Sequence, residues 1–243
     1  MLIGRTKIDS FAATLQQAAR GSWGEFRMPI RSIPLTSYQI RLLAVLALIN
    51  FVNFCARQAV VPLIPLLRDH LHATDAQLGS LQTWLLVVLA IASIPFGFLA
   101  DRFSRKAIIG VGIFFWSAAS FAGGLVSTFL FFLIARALVG LGEAAYAPAA
   151  QSMISGAFPQ ARRAFAQAIF ASGMLLGGAC GGALGGIIGP RYGWQYALFV
   201  VAIAGVLPGV ALFWLDEPPR GPRSEVVPIR RLLSVPAFLA MIA

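Results

Sequence analysis

Arg57, Arg136 and Glu143 stand inside long apolar runs, where an ionised side chain is expensive to keep. A charge at the centre of a bilayer costs at least ~2.5–3.5 kcal/mol on insertion scales, so such groups face a cavity, a partner or both. Arg136, Gly140 and Glu143 are spaced i, i+4, i+7, which puts them on one face of a helix. Arg136 and Glu143 are then ~10 Å apart along its axis. Two guanidiniums beside one carboxylate make a candidate anion site with a titratable neighbour. A plainer alternative is a buried ion pair that only staples helices together. Three charges leave one positive charge over, however, and that excess requires a ligand, water or another helix. No P-loop, zinc signature or nucleophile–base pair accompanies them, so no enzyme, no cofactor and no metal are expected. G-L-G-E-A-A at 140–145 imitates a dinucleotide fingerprint, but no strand precedes it. His70 and His72, beside Arg68 and Asp69, are read as solvated.

The elements that must hold these charges follow from composition. Only 12% of the residues are charged, about half the usual share of a soluble domain. Apolar runs reach the ~20 residues a helix needs to cross a bilayer. They cover 40–66, 77–100, 107–126, 129–152, 164–188 and 196–215, and a seventh begins near Leu232 and is expected to be cut off at Ala243. Inside hydrocarbon every backbone polar group is bonded internally, which leaves helices or a closed barrel. The short alternating segments of a barrel are missing, so the fold class is an all-α membrane protein with six transmembrane helices. Arg57 falls in the first span, Arg136 and Glu143 in the fourth. These two spans run in opposite directions, and helix rise brings the two guanidiniums to within ~5 Å in depth.

The net charge of +10 invites a nucleic-acid partner, and its distribution argues against one. Fifteen of the nineteen cations fall before the first span or at its very start (Arg41), between spans two and three or four and five, or after span six. Only Arg68 and Arg191 fall on the other side. Such asymmetry sets orientation, so both ends are expected to be cytoplasmic, in a cell membrane such as a bacterial inner membrane. The expected organisation is a cytoplasmic tail over 1–38, a six-helix bundle over 39–216, a basic linker over 217–231 and a truncated seventh span over 232–243. The tail carries a weak amphipathic stretch (Ile8, Phe11, Leu15) and no apolar core of the signal-peptide kind. It is an interfacial helix, a disordered tail or sequence ahead of the true start. Cys55 and Cys180 lie inside apolar spans and imply no disulfide framework.

GFLADRFSRK at 97–106 is the turn between spans two and three. Cations there suit a helix C-terminus and anionic headgroups, and an acid suits a helix N-terminus. Gly97, Leu99, Asp101, Arg102, Arg105 and Lys106 also resemble the G-x-L-a-D-R-x-g-R-[RK] signature of the major facilitator superfamily of transporters, with Ser104 where glycine is preferred. The resemblance implies that Gly97 and Asp101 form a conformational latch against a helix of the other half, supported by Arg102 and Arg105.

RALVGLGEAAYAP at 136–148 resembles the fourth helix of two branches of that superfamily, the Spinster-like lipid transporters and the anion–cation symporters of sugar acids. EPPRG at 217–221 and Asn53, Phe54 and Arg57 tilt the resemblance toward the Spinster-like side. There the first helix often reads N-Y-x-D-R; here Ala56 replaces the acid, and Glu143 is the only acid left within the six spans. If protons are coupled in this half, Glu143 carries them.

In the fifth span Gly173, Gly177, Gly181, Gly185 and Gly189 repeat every four residues, with Gly178, Gly182 and Gly186 beside them. Small residues at this spacing let a helix approach almost to backbone contact. The resemblance adds a surface on which one half rocks against the other. Pro62, Pro65 and Pro95 are placed to kink spans one and two.

Taken together, the resemblance implies the N-terminal half of a twelve-helix transporter, built as two inverted three-helix repeats. The expected partners are the lipid bilayer, a small organic anion or lysolipid-like amphiphile, and a missing C-terminal half or a second chain. Arg57, Arg136 and Glu143 are the expected cavity residues. The competing expectation is a truncated fragment without transport activity, or a half-transporter that needs a partner chain.

Overall fold

The computed structural model describes residues 35–220. The expectations for 1–34 and 221–243, including most of the tail, most of the basic linker and the seventh span, lie outside the described residues. Thr36 starts the first helix, its side chain accepting from the Gln39 amide while the Gln39 side chain accepts from the Thr36 amide, each at 3.2 Å. Thr74 and Gln77 repeat this reciprocal cap at the start of the second span. Each cap satisfies two donors that a helix start leaves orphaned.

Six helices are long and apolar enough to cross a membrane, and the described residues contain no strand. The spans are Ser37–Leu71, Asp75–Arg102, Arg105–Gly123, Phe129–Ala157, Gln160–Tyr192 and Trp194–Phe213. Several outlast the apolar runs by a turn, because capping and local hydrogen bonds carry a helix beyond its lipid-facing length. The first helix thus starts at Ser37, inside the stretch expected to be tail. The first span breaks into Ser37–Ala59, a 3-10 turn at Val61–Leu63 and Ile64–Leu71. Pro62 and Pro65, which have no amide hydrogen to donate, fall at this break. Pro95 lies within a helix that runs on across it.

The packing shows an internal pattern. The first span lies along the fifth and the second along the fourth; the third packs on the fourth and the sixth, and the first also meets the sixth. Exchanging spans one to three for spans four to six turns the first pair into the second, and leaves the third-with-sixth pair unchanged. This is the pairing expected of two three-helix repeats related by a two-fold axis.

Close approach is bought with glycine at two crossings. Gly173, Gly177, Gly181 and Gly185 lie beneath the carbonyls of Ala47, Phe51, Cys55 and Ala59, so the four-residue period of one helix meets that of the other. A methyl at Gly112 would lie 2.7 Å from the Gly142 carbonyl, where the third span crosses the fourth. Polar stitches supplement these seams: Asn50 Nδ2 donates to Phe170 O at 2.7 Å and the Tyr146 hydroxyl donates to Leu46 O at 3.3 Å. At the far end from the basic turns, Trp194 packs edge-on against Phe132 and the exposed His70.

Candidate functional site

The first and fourth spans touch little along their length, and the charged cluster sits between them. Asn53 and Arg57 are one turn apart on the first span, and Arg136, Gly140 and Glu143 share a face of the fourth. Gly140 has no side chain, which lets the second span's backbone at Leu85 close onto that face. The result is deep burial: Arg136 is 4% exposed and Glu143 2%.

Arg57 Nη2 donates to Glu143 Oε2, joining the first span to the fourth. The Arg57 guanidinium also lies over the Phe54 ring, 4.8 Å from its centroid, a position that the ring quadrupole favours. Arg136 is within electrostatic reach of both partners, yet among the described residues it makes no hydrogen bond and no ion pair. Among the described residues Arg57 Nε and Arg136 Nε are buried donors without acceptors, and Asn53 Nδ2 and Glu143 Oε1 make no well-formed hydrogen bond, although the Asn53 and Glu143 side chains lie within interaction range of each other. A buried polar group left so costs about 1–3 kcal/mol, more when charged. With Glu143 ionised the cluster carries one excess positive charge. Chemically it offers several donors to an anion and one acceptor to a group that brings its own hydrogen.

Arg57 and Glu143 come together across two helices, whereas Arg136 and Glu143, which share a face, do not pair directly. Asn53 belongs to the cluster and was legible only as part of the NF-x-x-R stretch.

At the basic end, the 97–106 turn divides. Nothing lies within 4 Å of where a Gly97 side chain would begin. Asp101 and Arg102 are exposed, and neither has an ion pair among the described residues. Arg105 instead turns inward and is 1% exposed. Its Nε donates to Glu217 at 2.8 Å, one Nη donates to Ser152 O at 3.1 Å and the other donates to Pro218 O. The Ser104 hydroxyl donates to the other Glu217 oxygen at 2.7 Å. Burial pushes the Glu217 carboxyl up, but the hydrogen bonds from Arg105 and Ser104 outweigh it and hold the group below the ordinary carboxylate range. Residues 217–220, expected to open the linker, are therefore bound to the bundle. The signal for Glu217 was an acid just after the sixth span, with a cluster of cations in the turn opposite.

The fifth span presents two glycine rows. Gly173, Gly177, Gly181 and Gly185 are filled by the first span's backbone. The neighbouring row is open: a side chain at Gly182 would meet nothing within 4 Å, and one at Gly178 only Gln58 at 3.6 Å.

The sequence profile of the Major Facilitator Superfamily matches residues 46–243. The chain belongs to the major facilitator superfamily. Its relatives place it in the Spinster branch of that superfamily. It is 33% identical over 171 residues to "Sphingosine-1-phosphate transporter SPNS2" of Xenopus tropicalis, covering 69% of this chain and 33% of that protein. It is 33% identical over 191 residues to "Protein spinster homolog 1" of Xenopus laevis, covering 76% of this chain and 36% of the relative. Among solved structures it resembles a bacterial homolog of the human lysosomal transporter Spinster, in an inward-facing and unoccupied conformation. That match has a TM-score of 0.68 and 27% identity, and covers 81% of this chain and 47% of the other. The chain thus spans about a third of the length of the curated relatives and about half of the solved one. This major facilitator chain is a multi-pass membrane protein with the helices of one half of the superfamily's fold.

Proposed function

We propose that this chain forms one half of a secondary transporter for an organic anion, a lysolipid-like amphiphile or a small carboxylate, working by alternating access. The observation that carries the proposal is Arg136, buried beside the Arg57–Glu143 pair and without a hydrogen bond or ion pair among the described residues. Stapling two helices needs one cation and one acid; a second buried guanidinium adds cost without adding a staple. An anionic headgroup between Arg57 and Arg136 offsets the excess charge and meets the unpaired donors. The name of two of the relatives, sphingosine-1-phosphate transporter, supports an amphiphile with a phosphate head.

The second wall of the cavity comes from six further helices, in the same polypeptide or in a partner chain, and the two halves rock about the bound substrate. The basic end faces the cytoplasm, Gly97 and Asp101 latch it to the other half, and Arg102 and Arg105 support the latch. Glu143 couples protons: substrate competes with it for Arg57, and a displaced carboxylate in an apolar site takes up a proton.

The test uses proteoliposomes in which this half is assembled with its second half. Glu143→Gln abolishes pH-driven uptake of sphingosine-1-phosphate while binding of the labelled lipid remains measurable. Arg136→Ala removes the binding itself. Competition by gluconate separates a small carboxylate from an amphiphile. Unchanged pH dependence in Glu143→Gln removes the proton role, and unchanged binding in Arg136→Ala removes the anion site.

A further inference from the structure

We propose that Arg220 is a positioning residue that pins the end of the second span and thereby leaves the Asp101 carboxylate free to engage a partner. The geometry of the pin stands by itself; Asp101's use as a latch rests on the transport proposal above.

The second span is the least covered of the six, and its one broad contact is the fourth span. Its last carbonyls have no helical partners, and the end of a helix attracts cations. Arg220 meets both needs. Its Nη1 donates to Asp101 O at 2.8 Å and its Nη2 to Phe103 O at 2.5 Å. The planar fork of a guanidinium suits two carbonyls at once.

Arg220 can hold that position because the segment before it is fixed. Glu217 is bound by Ser104 and Arg105, and Pro218 O accepts from Arg105. Pro219 O lies over Gly156, where a methyl would come within 2.5 Å. Just before them, Lys106 Nζ donates to Phe213 O and Leu215 O, and the Tyr38 hydroxyl donates to Asp216 O at 2.7 Å. The strap over 213–219 is therefore tied to the first, third and fourth spans, and Arg220 extends the tie to the second.

The consequence concerns Asp101. Of the four neighbouring cations, Arg102 is exposed and makes no ion pair among the described residues, Arg105 is committed to Glu217, Lys106 to the end of the sixth span, and Arg220 to backbone carbonyls and, at 4.0 Å, to Glu217. A carboxylate is a stronger partner for a guanidinium than a carbonyl is. Released from the strap's geometry, Arg220 would pair with the Asp101 side chain and occupy it. Held where it is, it orients the helix end and leaves the carboxylate unpaired.

Amide hydrogen exchange on the full chain in lipid nanodiscs tests the pin. In Arg220→Ala, amides over 100–104 exchange ~10-fold faster, as loss of a local tether predicts, while those of 129–157 stay within about 2-fold of the wild type. Arg220→Lys restores most of the protection, because an ammonium can donate to two carbonyls as Lys106 does. Unchanged exchange in Arg220→Ala overturns the proposal. So does an equal acceleration across the whole bundle, which would make Arg220 a general stability element, or a lysine variant as fast as the alanine one. No substrate enters the measurement, so the transport proposal can fail while the pin stands, and the reverse.

Discussion

The two glycine rows of the fifth span predict opposite effects from the same substitution. In Gly173→Ala the new methyl lies 2.6 Å from Ala47 O and 3.1 Å from the Phe51 amide nitrogen, both backbone atoms of a packed helix. Neither atom can rotate away, so the helices must part by about 0.7 Å or more to reach van der Waals distance. A radial gap of ~0.5–1 Å forfeits about a quarter to a half of the dispersion energy along a contact. Overpacking of this kind typically costs about 1–3 kcal/mol, against which the better helix propensity of alanine returns about 1 kcal/mol. The net expectation for Gly173→Ala is a loss of up to about 2 kcal/mol. Gly177, Gly181 and Gly185 face carbonyls closer still and should cost more. In Gly182→Ala the methyl meets nothing within 4 Å, so only the propensity gain of about 1 kcal/mol remains. Thermal unfolding in one detergent, read by helical signal and by tryptophan fluorescence, compares the two variants directly. At about 2–4 °C per kcal/mol for a chain of this size, the two midpoints should differ by several degrees, with Gly182→Ala the higher. Equal destabilisation by both substitutions would refute the assignment of the seam to the first row.

Other outcomes follow from the charges. Glu217 has a folded pKa below its ordinary value, so its contribution is present above the ordinary carboxylate range and lost as pH falls through the folded value. Glu217→Gln should lower stability at neutral pH and flatten the loss on acidification, which unfolding midpoints across that range will show. Arg136→Leu removes a buried charge that has no hydrogen bond or ion pair among the described residues, so it should raise the unfolding midpoint while abolishing anion binding. The gain is on the order of 2 kcal/mol by insertion scales, and a lowered midpoint would mean that Arg136 has a structural partner.

Sequence alone determined the class of the molecule and the cast of its site. Hydrocarbon cannot satisfy backbone groups, so apolar runs of sufficient length had to be helices, and the six spans appear where those runs lie. Burying charge is costly enough that Arg57, Arg136 and Glu143 stood out without any structure. The period of four in Gly173, Gly177, Gly181 and Gly185 likewise announced a close helix contact, since spacing along one helix is a local property.

Which helix fills that contact is not local. The first span takes the seam, and the uncovered row at Gly178 and Gly182 is distinguished from it only by three-dimensional packing. The same holds for charge partners. Glu143 is seven residues from Arg136 on one helix but pairs with Arg57, which is far away in sequence. Arg105 reads as a loop cation beside Asp101, yet it is buried on Glu217, more than a hundred residues later. Periodicity along a helix fixes which residues share a face. Only the folding of the chain decides what that face meets, because hydrogen bonds and ion pairs act over a few ångströms and ignore separation along the sequence.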